Sequence, residues 1–243
     1  MSSIISVVGK SLRPRVLIVA DSLALPRDDV AYEHTWPGML EERLPAITWI
    51  NRAQRLSTSE RLNDEGNQGA DCLEFYHPDL VVLQLGICDC APRVLHKRTA
   101  AYVYRLPFGL GWRLSSWLET WRGRKASNCL VPLAAYERNL RDYLMRAAAQ
   151  DVRVIALSTP PTSRLMASKN PLIGQQIDAY NEVLGHLEVD FPHLRVLSPF
   201  LDAALIDELF VDDGYHLNEQ GARRIAAALE PLVCEALERH MIV

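Results

Sequence analysis

The sequence predicts an α/β protein: a three-layer α/β/α sandwich built on a parallel sheet of five strands. Three observations predict it. Five short apolar runs rich in β-branched residues are spread along 243 residues. Stretches with helical spacing lie between them, the alternation expected of a parallel sheet covered on both faces by right-handed crossovers. Apolar residues make up 49% and charged residues 23%, with a mean hydropathy of -0.04, a globular balance.

The first strand is Arg15-Val-Leu-Ile-Val-Ala20, beginning after Pro14. Ile47-Thr-Trp-Ile-Asn51 forms the second. Leu80-Val-Val-Leu-Gln-Leu85, opened by Pro78-Asp79 and closed by Gly86, is the third and strongest. Val152-Arg-Val-Ile-Ala-Leu157 and Leu194-Arg-Val-Leu197 complete the sheet. Helical spacing covers residues 133–149, 173–187 and 218–239. In the last, Ile225, Leu229, Leu232, Val233 and Leu237 form one apolar stripe, with Asn218 as its N-cap and Glu219 in the favourable first turn.

No apolar run approaches the roughly 18 residues of a membrane span. The net charge of -4 gives no reason to expect a nucleic-acid partner. Residues 1–8 are too short and weakly apolar for a signal-peptide core, and Lys10 and Arg13 follow rather than precede them. Five cysteines, an odd number without framework spacing, point to a reduced, cytoplasmic protein. Cys88-Asp-Cys90 lacks a second Cys or His pair at metal-site spacing, so buried thiols and no metal are expected. Residues 1–243 read as one domain, without internal repeats.

One segment departs from the alternation. Residues 94–129 carry Tyr102, Tyr104, Phe108, Trp112, Trp117 and Trp121, with a net charge of +6 against -10 for the rest of the chain. Following the third strand, this insertion emerges at the carboxyl edge of the sheet, where open α/β folds bind ligands. It suits a lid over an anionic or sugar-bearing substrate, a peripheral membrane or oligomer contact, or an insertion that packs its own aromatics.

Three places at strand ends could do chemistry. Asp21-Ser22 follows the first strand, leaving a hydroxyl beside the amides of the next turn. Asp213 and His216 stand three residues apart before the last helix, so one turn can bring the carboxylate to imidazole Nδ1 and leave Nε2 free as a base. Gly86-Ile-Cys88-Asp89-Cys90 follows the third strand, where a glycine lets backbone amides approach a ligand. Each alone also suits an ordinary turn, cap or surface histidine.

Taken in order, Asp21-Ser22, Gly86-x-x-Asp89 and Asp213-x-x-His216 resemble the SGNH (GDSL-type) hydrolase family, from about Arg15 to Leu237. Asn51 and Thr58, Pro160-Pro161 and Tyr180-Asn181 add to the likeness. The resemblance implies a flavodoxin-like sandwich and ester hydrolysis without a cofactor. Ser22 would be the nucleophile, His216 the general base and Asp213 its orienting partner, with the Ser22 N–H in the oxyanion hole.

Three positions depart from the family pattern. Ala20 replaces a glycine. The second-block glycine, which donates its backbone N–H, falls near Leu56, and Cys88 replaces the third-block asparagine, a thiol being a poor donor. Arg93 could substitute for that donor or pair with Asp89. The expected oxyanion and substrate side is therefore Ser22, Leu56, Gly86, Cys88, Asp89 and Arg93. The expected activity is a serine esterase acting on a carboxylic ester, with an O-acetylated sugar or polysaccharide intermediate preferred. An acyltransferase using the same triad, or a non-catalytic glycan- or partner-binding protein, are the alternatives.

Overall fold

A strand in the middle of a covered sheet needs apolar side chains on both faces. The two strands that meet this demand most fully become its centre. A computed structural model describes residues 13–66, 68–93, 128–200 and 203–238. In it, β1 (Arg15–Ala20) and β3 (Leu80–Gln84) are buried almost throughout and pair side by side, Val16 opposite Leu80 and Ala20 opposite Gln84. Outside them lie β2 (Thr48–Asn51), β4 (Arg153–Leu157) and β5 (Leu194–Leu197). All pairs are parallel and the order is β2-β1-β3-β4-β5. The edge strands β2 and β5 are partly exposed, as strands with one neighbour are. This is the flavodoxin-like arrangement that the resemblance implied.

Three strand ends differ from expectation by one residue, each for a backbone reason. The N–H of Ile47 closes a turn onto Leu44 O (3.1 Å), and that of Val152 closes the preceding helix onto Ala147 O (3.0 Å). Leu85 O accepts from the Tyr136 hydroxyl at 3.2 Å.

Helices α1 (Trp36–Arg43) and α6 (Glu219–Glu238) pack together, joined at the surface by Arg43 and Glu230 at 3.2 Å. A short α2 (Ile87–Cys90) follows β3. On the opposite face, as right-handed crossovers in the two directions require, lie α3 (Leu133–Ala149) and α5 (Ile173–Asp190). There the Tyr136 and Tyr180 rings meet at 4.9 Å. The six-residue α4 (Arg164–Lys169) is capped by Ser163, whose hydroxyl accepts from Met166 N–H. Asn218 caps α6 as expected, accepting from Gly221 N–H at 3.1 Å, and the Ile225, Leu229, Val233 and Leu237 stripe is buried. Pro231 interrupts that helix only on its exposed side, where water can take the carbonyl left unpaired.

The insertion falls almost wholly outside the described residues. No helix among the described residues is long and apolar enough to cross a membrane. All five cysteines are free thiols.

Candidate active site

In this strand order the chain leaves β1 toward one edge and β3 toward the other. Their carboxyl ends therefore mark the topological switch point, where open α/β sheets form a ligand crevice. Ser22 and the turn at Gly86 sit on its two sides. Asp21 N–H donates to Gln84 O at 3.0 Å, tying the end of β1 to β3. The Asp21 carboxylate accepts from Leu23 N–H at 2.9 Å and so caps the tight turn Ser22–Ala24. The serine is thereby fixed at the crevice by its neighbours on both sides.

The second half of the site arrives from 194 residues away. Ser22 Oγ lies 2.9 Å from His216 Nε2, and His216 Nδ1 lies 2.5 Å from Asp213 Oδ2. A short hairpin carries this pair. Phe210 and Leu217 bridge antiparallel, and Val211 N–H donates to His216 O at 2.9 Å. Gly214 turns the hairpin at φ +83°, and a Cβ there would stand 2.2 Å from Ser163 Oγ. The other Asp213 oxygen accepts from the N–H groups of Tyr215 (3.1 Å) and His216 (2.9 Å), so the carboxylate is oriented before it meets the ring. The Tyr215 ring covers the imidazole with centroids 4.0 Å apart.

Charge follows from this geometry. Burial alone would raise the Asp213 carboxyl, but the hydrogen bonds from His216 and Tyr215 outweigh it and keep the group below its usual range. An ionised Asp213 accepts a hydrogen bond from Nδ1–H, which leaves the Nε2 lone pair facing Ser22. Burial, followed by the nearby cations Arg27 and Arg55, pushes His216 down to about 4 despite the opposing pull of Asp213. At neutral pH the imidazole is neutral, the form a general base requires.

In the loop after β2, whose Gln54 N–H donates to Ala20 O at 2.9 Å, Leu56 has φ +59° and is 70% exposed. A leucine therefore occupies the left-handed conformation that glycine adopts without strain, close to where the resemblance expects a glycine. Among the described residues, no acceptor takes the N–H of Ser22 or of Leu56. Gly86, at φ +147°, has no room for a side chain: a Cβ would lie 2.3 Å from Thr159 Oγ1. Cys88 is buried, and its thiol is pushed up to about 12, first by burial and then by Asp21 and Asp89. It stays protonated and is a weak donor.

Asp89 corrects the sequence expectation. It is fully buried and its carboxylate accepts from Ser59 N–H (2.8 Å) and Ser59 Oγ (2.6 Å), so it anchors the loop after β2 rather than facing a ligand. The alternative of an Arg93–Asp89 ion pair is not formed among the described residues. Arg93 N–H donates to Asn128 O (2.7 Å), and its guanidinium is close enough to Cys88 to favour the thiolate. Arg27, whose guanidinium donates to His216 Nε2, was not anticipated. Nothing in Arg27-Asp-Asp-Val30 distinguishes it from a charged surface turn.

A model of the GDSL-like lipase/acylhydrolase family matches residues 21–224. The chain belongs to that family. It is thus an ester hydrolase by family, and its fold is shared widely among solved SGNH-type structures. A lipase/acylhydrolase from Enterococcus faecalis is 16% identical, with 90% of this chain and 95% of that one covered at a TM-score of 0.60. The psychrotrophic esterase EstA from Pseudoalteromonas is 17% identical, with coverage of 92% and 98% and a TM-score of 0.59. A mutant acetyl-xylooligosaccharide esterase from Geobacillus is 15% identical, with coverage of 89% and 92% and a TM-score of 0.60. No curated protein sequence matches the chain.

The GDSL-like site has a second layer that titrates. Asp21 and Asp89 are each raised to about 7, mainly by burial, and one oxygen of each lacks a partner. A raised carboxyl holds its proton in the folded state after the unfolded chain has lost it. The stability it contributes is full below pH 3.8 and drains away as pH rises to about 7. Asp89→Asn keeps an acceptor for Ser59 but cannot ionise. The melting temperature of the variant should therefore fall less than that of wild type between pH 5 and 8, as differential scanning fluorimetry would show. Equal slopes would contradict this account of Asp89.

Proposed function

We propose that the protein is a serine esterase whose catalytic triad is Ser22, His216 and Asp213, acting on O-acetyl groups of a sugar or polysaccharide intermediate. The observation that carries this reading is the continuous relay from Ser22 Oγ through His216 to Asp213, at 2.9 and 2.5 Å. Ser22 Oγ attacks the ester carbonyl carbon while its proton passes to His216 Nε2, and Asp213 stabilises the imidazolium that forms. His216 then returns the proton to the departing alcohol, leaving an acetyl ester on Ser22. Water, deprotonated by the same imidazole, releases acetate and restores the serine. The Ser22 and Leu56 amides, with Arg93 or the Cys88 thiol, are the candidate donors to the tetrahedral oxyanion.

The acetyl preference draws support from structural relatives described as an acetyl-xylooligosaccharide esterase and an acetyl xylan esterase. The aromatic, basic composition of residues 94–129 suits sugar rings. If that segment excludes water and admits an alcohol, the same triad would run as an acyltransferase. Ser22→Ala tests the nucleophile. Its turnover of p-nitrophenyl acetate and butyrate should fall about 10⁴-fold or more below wild type, and equal rates would remove Ser22 from the mechanism.

A further inference from the structure

Arg27 stands where a cation opposes the proposed proton transfer. Its backbone is locked in a tight turn, with Arg27 N–H donating to Val30 O at 2.8 Å and Val30 N–H to Arg27 O at 3.0 Å, so the side chain has a fixed root. Its Nη2 donates to His216 Nε2, and its Nη1 lies 3.9 Å from Asp213 Oδ2. Arg55 comes in from the loop after β2, its guanidinium donating to Pro26 O at 2.7 Å, one residue before Arg27.

Two cations thus act on the His216 imidazole with little to neutralise them. Among the described residues no carboxylate pairs with Arg55, and the one near Arg27 is Asp213, whose Oδ2 already accepts from His216 Nδ1. Arg27 Nε is buried and unpartnered. The contact with Nε2 also has a chemical consequence. Once Nε2 receives the Ser22 proton it becomes a donor, facing a guanidinium that has only donors. Arg27 must leave Nε2 before the base can act, and an oxyanion is the group that would draw its planar fork away.

We propose that the substrate ester carries an anionic group, a carboxylate, phosphate or sulfate, near the scissile bond, and that Arg27 and Arg55 bind it, Arg27 releasing His216 Nε2 as it does so. The proposal rests on the esterase reading of Ser22 and His216 and makes Arg27 at once a specificity determinant and a brake. Neutral esters leave the brake on.

Two matched pairs of esters test it. 4-Acetoxybenzoate against 4-acetoxybenzamide places the charge on the alcohol side, and p-nitrophenyl hydrogen succinate against p-nitrophenyl propionate places it on the acyl side. In wild type, one anionic member should be preferred about 10- to 100-fold in kcat/KM, the range of one charge-assisted hydrogen bond. Added salt should shrink the preference. Arg27→Gln should bring the ratio toward one while raising turnover of the neutral ester. Arg27→Lys should retain part of the preference. Arg55→Gln, at an exposed position, should lower the ratio with an unchanged melting temperature.

A ratio near one for both pairs in wild type, or a ratio surviving in the Arg27→Gln/Arg55→Gln double variant, would overturn the proposal. Fluorophosphonate labelling separates the two levels. A labelled Ser22 with no charge preference removes only the role of the arginines, whereas neither labelling nor hydrolysis removes the esterase reading and this inference with it.

Discussion

His216→Ala should lose about 10⁴- to 10⁶-fold in turnover of p-nitrophenyl acetate, the range seen when a serine hydrolase loses its base. The wild-type pH profile should show where that base titrates. Its pKa in the free protein is about 4, because burial and the charges of Arg27 and Arg55 outweigh Asp213. An ordinary histidine would switch near 6.5. The acid limb of kcat/KM, which reports the free enzyme, should therefore lie well below pH 6, and ester hydrolysis should persist at pH 5. The limb should move upward in Arg27→Gln, since one of the charges opposing the imidazolium is gone. A limb at 6.5 in both proteins would mean that these cations do not reach His216 in solution. The lowered value also bears on stability, with the opposite sign to Asp89. Below pH 6.5 the unfolded chain takes up a proton that the folded His216 refuses until about 4, so stability falls through that window on acidification.

Cys88→Asn should raise turnover on activated esters by about 10²–10³, the worth of one side-chain donor in an oxyanion hole. The physical ground is the state of the thiol. It is buried, held protonated at neutral pH with its pKa near 12, and poor as a donor. An asparagine at that position would carry a side-chain N–H donor on the first turn of α2, which follows Gly86 at the carboxyl end of β3. The gain should appear in kcat, with KM nearly unchanged, because the oxyanion exists only in the transition state. Cys88→Ser is the control for packing. A variant that folds with an unchanged melting temperature and gains nothing would mean that another group, Arg93 foremost, already supplies the donor. No turnover in either form would favour the binding-protein alternative.

How much of this was legible depends on the range over which each feature is encoded. The five strands were readable because each is a contiguous apolar run, and the sheet at Val16 and Leu80 only ratifies what the side chains dictate. Strand ends slipped by one residue because turn hydrogen bonds, such as that of Val152 N–H, withdraw a backbone group from the ladder. Helix α1 was missed because Trp36-Pro37-Gly38 reads as a breaker. Its Thr35 cap accepts from Gly38 N–H, and Pro37 sits in the first turn, where no N–H is needed.

In the site, Asp213 and His216 were legible as a local pair, whereas Ser22 stood out only through the resemblance of the ordered motifs, its place after a strand being an ordinary turn signal. The partner of Asp89 was not, since Ser59 lies 30 residues away on another loop and no local pattern ties them. Arg27 was hidden for a similar reason. Its aim is set by a tight turn and by a hairpin that arrives from the other end of the chain.

The most direct test is to map the site of a fluorophosphonate adduct by peptide mass spectrometry. One adduct on Ser22 is expected in wild type, absent in Ser22→Ala and strongly diminished in His216→Ala. Modification of a different residue, or undiminished labelling once the imidazole is gone, would contradict the relay.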